Sequence, residues 1–206
     1  MRSSFLFRAA GAALLTISFA LTAPTQSVVE KGKRGPPDPV NLDIAGLFQG
    51  KFASVGDDLF IAGQPTEKAL RQLKAKGVTT VINLRTPEEM AQVGFDEAAL
   101  LKELGIAYVH IPMRGSAENP YGPKQLDQFA ATLASAKGKV LLHCTVAWRA
   151  SHLWAAYLIR DRGVPVATAI AHTRKINLRD EAPFGGQQPI EGFLGRKVPE
   201  LAKPKQ

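Results

Sequence analysis

A cysteine and an arginine in the segment VLLHCTVAWRAS are the strongest candidates for chemistry in this chain. Cys144 directly follows an apolar run that predicts a buried strand, and the next predicted helix begins a few residues later. In open α/β sheets, ligands bind where strands end. Unpaired N–H groups at the start of a helix stabilise both a thiolate and a bound anion. Because the guanidinium of Arg149 matches two oxygens of a phosphate, the pattern favours phosphoryl chemistry with a cysteine nucleophile.

The same residues allow a second interpretation. A lone cysteine at a strand end is more often a buried apolar residue than a nucleophile, and Cys-x4-Arg alone is a weak motif. Two observations favour reactivity. Cys144 lies at a predicted strand-to-helix junction, and it is the single cysteine of a chain that begins like an exported protein, where an idle thiol would be oxidised. The residues alone leave both interpretations open.

The first 23 residues predict an export signal. Arg2 and Arg8 precede an uncharged run over residues 9–23, and cleavage is expected after Ala20 or Ala23. That run is shorter than the roughly 20 residues that a membrane-spanning helix needs. We therefore expect an exported protein, periplasmic or secreted, which contacts a membrane only if the signal stays uncleaved as an anchor.

Length and composition predict one folded domain between polar ends. The chain has 206 residues, of which 45% are hydrophobic and 21% charged, which excludes a wholly disordered protein. Residues 24–41 contain four prolines and no apolar periodicity, so they predict a linker. The folded domain is predicted over residues 42–190, and residues 191–206 are predicted to form a flexible tail. The net charge of +8 favours anionic partners.

The predicted domain alternates strands with helices. Apolar and β-branched runs predict strands that end at Ala62 and that span residues 78–84, 106–112 and 139–143. Amphipathic spacing predicts helices from the Thr66 cap to Gly77, over residues 87–104, around Leu126, Phe129, Ala130 and Leu133, and over residues 150–162 and 166–178. This alternation predicts an α/β fold with a single, mostly parallel sheet flanked by helices.

Three blocks of sequence resemble the beta-lactamase-hydrolase-like phosphatase family, a branch of the protein tyrosine phosphatase and dual-specificity phosphatase superfamily. They are GQP before the first helix, VINLR on the second strand and HC-x4-R after the last strand, in this order. The resemblance covers residues 55–178 and includes the short Cys-x4-Arg loop of that family. It implies a tyrosine-phosphatase-like fold.

The resemblance also implies that the chain hydrolyses phosphate monoesters, phosphotyrosine among them, without a cofactor. Cys144 would attack phosphorus, and water would hydrolyse the resulting phosphocysteine. His143 would order the loop rather than act as a base, or it is a structural histidine with its own partners. Ser151 would either donate a hydrogen bond to the thiolate or cap the helix. The phosphate oxygens would be bound by the loop residues Thr145, Val146, Ala147, Trp148 and Arg149.

Three features depart from the pattern of the family. Ala147 stands where similar loops usually have a glycine, which turns backbone amides toward an anion without a steric cost. Trp148 is bulky for a pocket wall, so we expect it to stack on an aromatic substrate or to block the entrance. The loop RGSAENPYGP contains no aspartate, and its one carboxyl group, Glu118, is the candidate general acid or, alternatively, a solvated loop glutamate.

Two alternative functions remain open. A rhodanese-like sulfurtransferase also has a cysteine at the start of a six-residue loop that ends in a basic residue, and its thiol carries a persulfide. A degenerate module would bind phosphate or phosphoproteins without turnover, which Ala147, Trp148 and the missing aspartate favour.

Phosphorylated proteins or small molecules are the expected partners. His110, His152 and His172 show no metal-ligand spacing with one another or with Cys144, so no metal is predicted. The basic run KGKRG lacks interleaved aromatic residues, so no nucleic-acid partner is predicted either. Arg85 of VINLR would bind an anion at the end of its strand or, equally well, pair with a neighbouring glutamate.

Overall fold

A six-stranded sheet forms the centre of the molecule. The structure is a computed structural model, and it describes residues 35–179 and 189–201. The strands are β1 (Pro39–Asn41), β2 (Phe52–Val55), β3 (Leu59–Ala62), β4 (Val78–Asn83), β5 (Ala107–His110) and β6 (Lys139–His143). They lie in the order β1-β2-β3-β6-β4-β5, in which β3, β6, β4 and β5 are parallel while β1 and β2 form an antiparallel edge.

In the described part of the chain, seven α-helices connect or follow the strands. They are α1 (Glu67–Ala75), α2 (Pro87–Met90), α3 (Glu97–Glu103), α4 (Pro123–Ser135), α5 (Trp148–Arg160), α6 (Val166–Arg174) and α7 (Pro189–Leu194). The predicted α/β fold with one mostly parallel sheet is confirmed. Among the described residues, no helix combines the length and the apolar character needed to cross a bilayer.

Each face of the sheet has its own hydrophobic core. Neighbouring residues of a strand point to opposite faces, so Leu142 packs in one core and Leu141 in the other. The larger core lies beneath α4–α7 and contains Phe129 and Phe193, whereas the smaller one lies beneath α1 and α3 and contains Leu70. Both faces are covered, which explains why the strand sequences are almost continuously apolar.

The first helix forms as its sequence predicts. The hydroxyl of Thr66 accepts a hydrogen bond from the backbone N–H of Ala69 at 3.2 Å, which satisfies a donor that the helix leaves free. Leu70 and Leu73 are buried, and Gly77 turns the chain after the helix at a φ of 88°. The GQP turn before this helix is therefore held between a strand end and a capped helix.

The helix predicted over residues 87–104 is wrong, because the segment forms two helices, α2 and α3. Thr86 and Glu89 form a capping box that starts α2. The chain then leaves the helix, and the Asp96 carboxylate caps α3 by accepting a hydrogen bond from the N–H of Ala99 at 3.0 Å. The second cap interrupts the apolar periodicity that suggested one helix.

Folded elements lie outside the predicted domain limits at both ends. Strand β1, inside the predicted linker, pairs with β2 through backbone hydrogen bonds, which need no apolar pattern. Helix α7 begins at Pro189, and most of it lies in the predicted tail, where the fully buried Phe193 anchors it. The predicted signal over residues 1–23 lies outside the described residues.

Candidate active site

Cys144 lies immediately after β6, at the start of the loop that leads into α5. We call residues 144–147 the cysteine loop. The residue is only 1% exposed, and its N–H donates to the carbonyl of Ala62 at the end of β3, 3.3 Å away. The N–H of Gln64 donates to the carbonyl of Thr145 at 2.9 Å, so the GQP turn holds the loop from one side. A Cβ at Gly63 would overlap the carbonyl oxygen of Gln49, which explains the glycine of that turn.

Ala147 ends the cysteine loop in a left-handed backbone conformation, with φ 67° and ψ 0°. A residue with a Cβ pays roughly 1–2 kcal/mol for this conformation, which glycine adopts freely. The alanine at this position therefore has an energetic cost, because the loop adopts a backbone conformation that a glycine would favour.

Arg149, in the first turn of α5, is clamped by Glu89. Its Nη1 and Nη2 atoms donate to the two carboxylate oxygens of Glu89 at 2.8 and 2.7 Å. Nη1 also donates to the carbonyl of Met113 at 2.8 Å, and Nη2 donates to the hydroxyl of Thr145 at 2.9 Å. This two-point geometry fixes the plane of a buried guanidinium beside the cysteine loop.

Charge interactions at the clamp are strong. Burial favours the neutral form of Glu89, but hydrogen bonds from Arg149 and the N–H of Thr86 outweigh it and lower the pKa of Glu89 to about 2. Burial also works against the charge of Arg149, yet its hydrogen bonds to Glu89 and the nearby charge of Cys144 raise the pKa of Arg149. The clamp is therefore a fully ionised pair at neutral pH.

Sequence reasoning missed Glu89 as a site residue. The capping-box spacing Thr86-x-x-Glu89 signals the start of a helix, and Glu89 does form that cap. The same carboxylate also accepts a hydrogen bond from the hydroxyl of Thr145 at 3.1 Å, and Arg114 lies 3.5 Å from it. Glu89 therefore joins three separate segments of the chain at one point.

His143 lies beneath the cysteine loop in a buried polar network. Its Nε2 atom lies 3.0 Å from a carboxylate oxygen of Glu97, which also accepts hydrogen bonds from Asn83 at 3.1 Å and Gln64 at 2.7 Å. Burial opposes the charge of Glu97, but the His143 charge and these hydrogen bonds lower its pKa overall. This position suits a residue that orders the loop. Glu97 was not predicted, because the sequence placed it within a single helix over residues 87–104, where a glutamate is typical of a solvated face.

The proposed hydrogen bond from Ser151 to the thiolate is wrong in this structure. The hydroxyl of Ser151 donates to the carbonyl of Ala147 at 2.8 Å, and it has only one proton to donate. It therefore ties the first turn of α5 back to the cysteine loop. It does not cap the helix either, since Ala147 holds that position without a side-chain hydrogen bond.

Trp148 does not line an entrance, contrary to both expectations for it. Its side chain is buried, with the residue only 5% exposed, and its ring packs against His152 at 4.1 Å between centroids. Trp148 is the first residue of α5, and that turn directs the ring into the protein.

The cysteine loop is also held from the side of α6, because the carbonyl of Val146 accepts a hydrogen bond from the side-chain amide of Asn177.

Glu118 lies on the exposed loop that follows β5. Its pKa is lowered by its own backbone N–H and by the hydroxyl of Ser116, so the group is ionised at neutral pH. Its carboxylate is bound within its own turn, whereas a general acid must hold a proton beside the leaving group. The geometry gives no support to Glu118 as the acid.

The histidines have hydrogen-bond partners of their own. His110 lies 2.7 Å from the carbonyl of Arg85, and His172 accepts a hydrogen bond from the indole of Trp154 at 3.2 Å. Within residues 35–179 and 189–201, no group of three histidine, cysteine or acidic side chains is placed to hold a metal ion.

Comparisons with known proteins identify the family to which this sequence is similar. Residues 51–158 match the model of the family described as beta-lactamase hydrolase-like protein, phosphatase-like domain. A beta-lactamase hydrolase-like protein from Xylella fastidiosa (strain Temecula1) is 32% identical over 113 residues, which are 54% of this chain and 26% of that protein. The chain thus spans about a quarter of the length of the curated relatives that it matches.

Solved structures share the fold. A candidate phosphatase from Shewanella putrefaciens is 26% identical, with a TM-score of 0.53 over 74% of this chain and 95% of that one. P. aeruginosa TpbA is 18% identical, with a TM-score of 0.54 over 81% of this chain and 94% of TpbA. These neighbours have the fold of tyrosine-phosphatase-like phosphatases. Because the family model covers more than half of the sequence, the chain belongs to the beta-lactamase hydrolase-like, phosphatase-like domain family.

Proposed function

We propose that this chain is a cysteine-dependent phosphatase that hydrolyses phosphate monoesters through a phosphocysteine. One observation carries the proposal. Cys144 and the clamped guanidinium of Arg149 flank the same short loop, at the edge of a parallel sheet where a helix begins. A fixed cation, a set of backbone N–H groups and a thiol together suit a phosphoryl group. Membership of a phosphatase-like family supports the same conclusion.

The proposed reaction has two displacement steps. The Cys144 thiolate attacks phosphorus, the S–P bond forms, and the bond from phosphorus to the ester oxygen breaks. The leaving oxygen takes a proton from solvent, because Glu118 holds none at neutral pH. Water then attacks the phosphocysteine, the S–P bond breaks, and inorganic phosphate leaves while the thiolate is restored. Arg149 neutralises the charge on the equatorial oxygens in both steps.

Aryl phosphates such as phosphotyrosine are the proposed substrate class. A phenolic oxygen leaves more easily than an alkyl one, so it depends less on a general acid. One solved structure of TpbA, a fold relative, is a complex with phosphotyrosine. We therefore expect phosphotyrosine to be hydrolysed faster than phosphoserine.

Hydrolysis of p-nitrophenyl phosphate tests the proposal. The wild-type chain should release phosphate, and Cys144→Ser should lose at least about a thousandfold in rate, since the nucleophile is removed. Arg149→Lys should also lose most activity, because an ammonium cannot replace the two-point guanidinium. A parallel assay with thiosulfate and cyanide completes the test: thiocyanate production without phosphate release would replace the proposal with a sulfurtransferase.

A second candidate is phosphate binding without turnover. The left-handed Ala147 strains the loop, and the exposed, ionised Glu118 offers no proton. If this candidate is right, inorganic phosphate should bind to the wild-type chain and fail to bind to Arg149→Ala, while no aryl phosphate is hydrolysed.

We also propose that residues 1–23 direct export, so that the phosphatase acts in the periplasm or outside the cell. The mass of the protein recovered from an exporting host tests this directly. Loss of residues 1–20 or 1–23 supports export with cleavage, and recovery of the intact chain from the cytoplasm contradicts it.

A further inference from the structure

Arg85, two residues after the end of β4, is a buried cation. Its hydrogen bonds in the described residues go to neutral groups. It is 7% exposed, and its Nη1 and Nη2 atoms donate to the side-chain oxygen of Gln64 at 2.7 Å and the backbone carbonyl of Glu89 at 2.8 Å. Its Nε atom has no hydrogen-bond partner among the described residues. Burial lowers the pKa of Arg85, although the charges of Glu89 and Glu97 act against this from a distance.

A cleft of about 810 Å³ opens beside the cysteine loop, and Arg85 forms part of its wall. This volume falls in the usual range for small-molecule sites. Thr145 lies on the same wall, and its hydroxyl also contacts Arg149, so the cleft begins where the proposed phosphate site ends. Among its charged lining residues, Lys68 and Arg85 are positive and Glu67 is negative, which leaves the cleft with a net positive charge.

No carboxylate of the described residues contacts the guanidinium of Arg85 directly, and the nearest acidic group on the Gln64 side, Glu97, is separated from it by the Gln64 amide. Arg149 and Arg114 share the single carboxylate of Glu89, and Arg85 contacts only the backbone carbonyl of that residue. A buried cation without a paired anion is costly, and an anion bound in the adjoining cleft would offset that cost. A single phosphate bound at the cysteine loop would leave Arg85, on the cleft wall, without a bound anion.

We propose that Arg85 and this cleft bind a second anionic group of the substrate, which makes the preferred substrates phosphate monoesters whose leaving group carries a further phosphate or carboxylate. The inference rests on the proposed phosphatase function and extends it by naming a substrate class. The phosphoryl group that reacts lies at the cysteine loop, and the second anion lies in the cleft between the N-terminal turn of α1 and the turn that precedes α3.

A purely structural role for Arg85 makes a different prediction. Through the carbonyl of Glu89, Arg85 also helps to hold the residue that clamps Arg149. If that were its whole contribution, removing the guanidinium would slow every substrate by the same factor. A ligand-binding role instead changes the ratio between substrates with one and two anionic groups.

The test compares kcat/KM for phenyl phosphate, 3-carboxyphenyl phosphate and 1,3-phenylene bisphosphate. The wild-type chain should prefer at least one of the doubly anionic substrates by about tenfold or more, as a charge-assisted hydrogen bond implies. Arg85→Gln should lose this preference, and Arg85→Lys should retain part of it. Arg71→Gln, which removes the same charge from the exposed face of α1, should keep the full preference. The preferred substrate tells whether the second anion is a phosphate or a carboxylate.

Two outcomes would overturn the inference: no preference in the wild-type chain, or a preference that survives in a folded Arg85→Gln. If Arg85→Gln does not fold, the partial preference of Arg85→Lys decides. Binding of the same three compounds to Cys144→Ser, measured by titration calorimetry, separates this inference from the proposed function. Absence of turnover with selective binding would refute the phosphatase alone, and unselective binding would refute the second-anion site.

Discussion

Two loops at the same edge of the sheet are built in opposite ways. The cysteine loop is held by hydrogen bonds from the end of β3 and the GQP turn, from Asn177 after α6, and from the Glu89–Arg149 clamp. The loop over residues 114–122 is largely exposed, and the N–H groups of Arg114 and Gly115 bond only to Asn119 within the loop itself. The cysteine loop is fixed by several parts of the domain, whereas the 114–122 loop combines its own turn with side-chain contacts to the domain from Arg114, 3.5 Å from Glu89, and from Tyr121, whose ring packs against Phe193.

This difference separates the two tasks of a phosphatase. Binding a phosphoryl group requires donors that are fixed in advance, and under the proposed function the cysteine loop and Arg149 would supply them. Protonating the leaving group requires an acid held beside it, and the 114–122 loop has none in place. Under the proposed function, the rigid part of the site would hold the phosphate, and the departing oxygen would take its proton from solvent. Substitutions of Glu89, Ala147 and Glu118 test this difference between the two loops.

Removing the clamp should have the largest effect. Glu89→Gln leaves the buried Arg149 without its counter-charge, which costs about 3–5 kcal/mol when a buried pair is broken. The free energy of unfolding should fall by this order, and kcat/KM for p-nitrophenyl phosphate should fall by about a hundredfold as the guanidinium loses its fixed plane. Denaturant unfolding and steady-state kinetics measure both. The neighbouring Glu88→Gln is the control, since Glu88 is exposed and its substitution should leave the free energy of unfolding nearly unchanged. Equal losses of stability and of kcat/KM in the two variants would show that the Glu89–Arg149 pair contributes no more than an exposed glutamate.

The clamp should also be visible in the pH dependence of stability. The folded chain lowers the pKa of Glu89 from its ordinary 4.5 to about 2, so its contribution is fully present above pH 4.5 and is lost as the pH falls toward 2. The difference in unfolding free energy between wild type and Glu89→Gln should therefore shrink across this window. A difference that stays constant from pH 6 to pH 2 would contradict an ionised clamp.

Relaxing the cysteine loop should have an intermediate effect of opposite sign. Ala147→Gly removes the cost of a left-handed alanine, roughly 1–2 kcal/mol, and adds the roughly 0.5–1 kcal/mol of chain entropy that glycine loses on folding. We expect the free energy of unfolding to rise by up to about 1.5 kcal/mol and turnover to rise with it. Ala150→Gly, inside α5, should instead lower stability by about 1 kcal/mol. Loss of stability in both variants would mean that Ala147 is not strained.

Changing the exposed loop should have the smallest effect. Glu118→Gln removes a carboxylate that is already ionised at neutral pH, so kcat for p-nitrophenyl phosphate should change by less than about twofold. A fall of a hundredfold, confined to substrates with poor leaving groups, would instead show that the loop moves and that Glu118 is the acid after all.

The sequence identified the site residues that lie close to one another along the chain. Cys144 and Arg149 lie five positions apart at a strand-to-helix junction, and the apolar runs around them predict both the sheet and its parallel order. Glu89 and Glu97 could not be found in this way, because each contacts partners far along the chain, Arg149 at 60 positions and His143 at 46. Their local sequence indicates only helix starts. The inward turn of Trp148 likewise depends on the packing of α5 as a whole.

Trapping the covalent intermediate tests the central claim most directly. The wild-type chain is mixed with phosphate-labelled p-nitrophenyl phosphate, quenched in acid within milliseconds and digested for mass analysis of the peptide that contains Cys144. The account predicts one phosphoryl group on that cysteine, with no label on Cys144→Ser. Phosphate release at full rate from Cys144→Ser, or from wild type without any labelled cysteine, would contradict it.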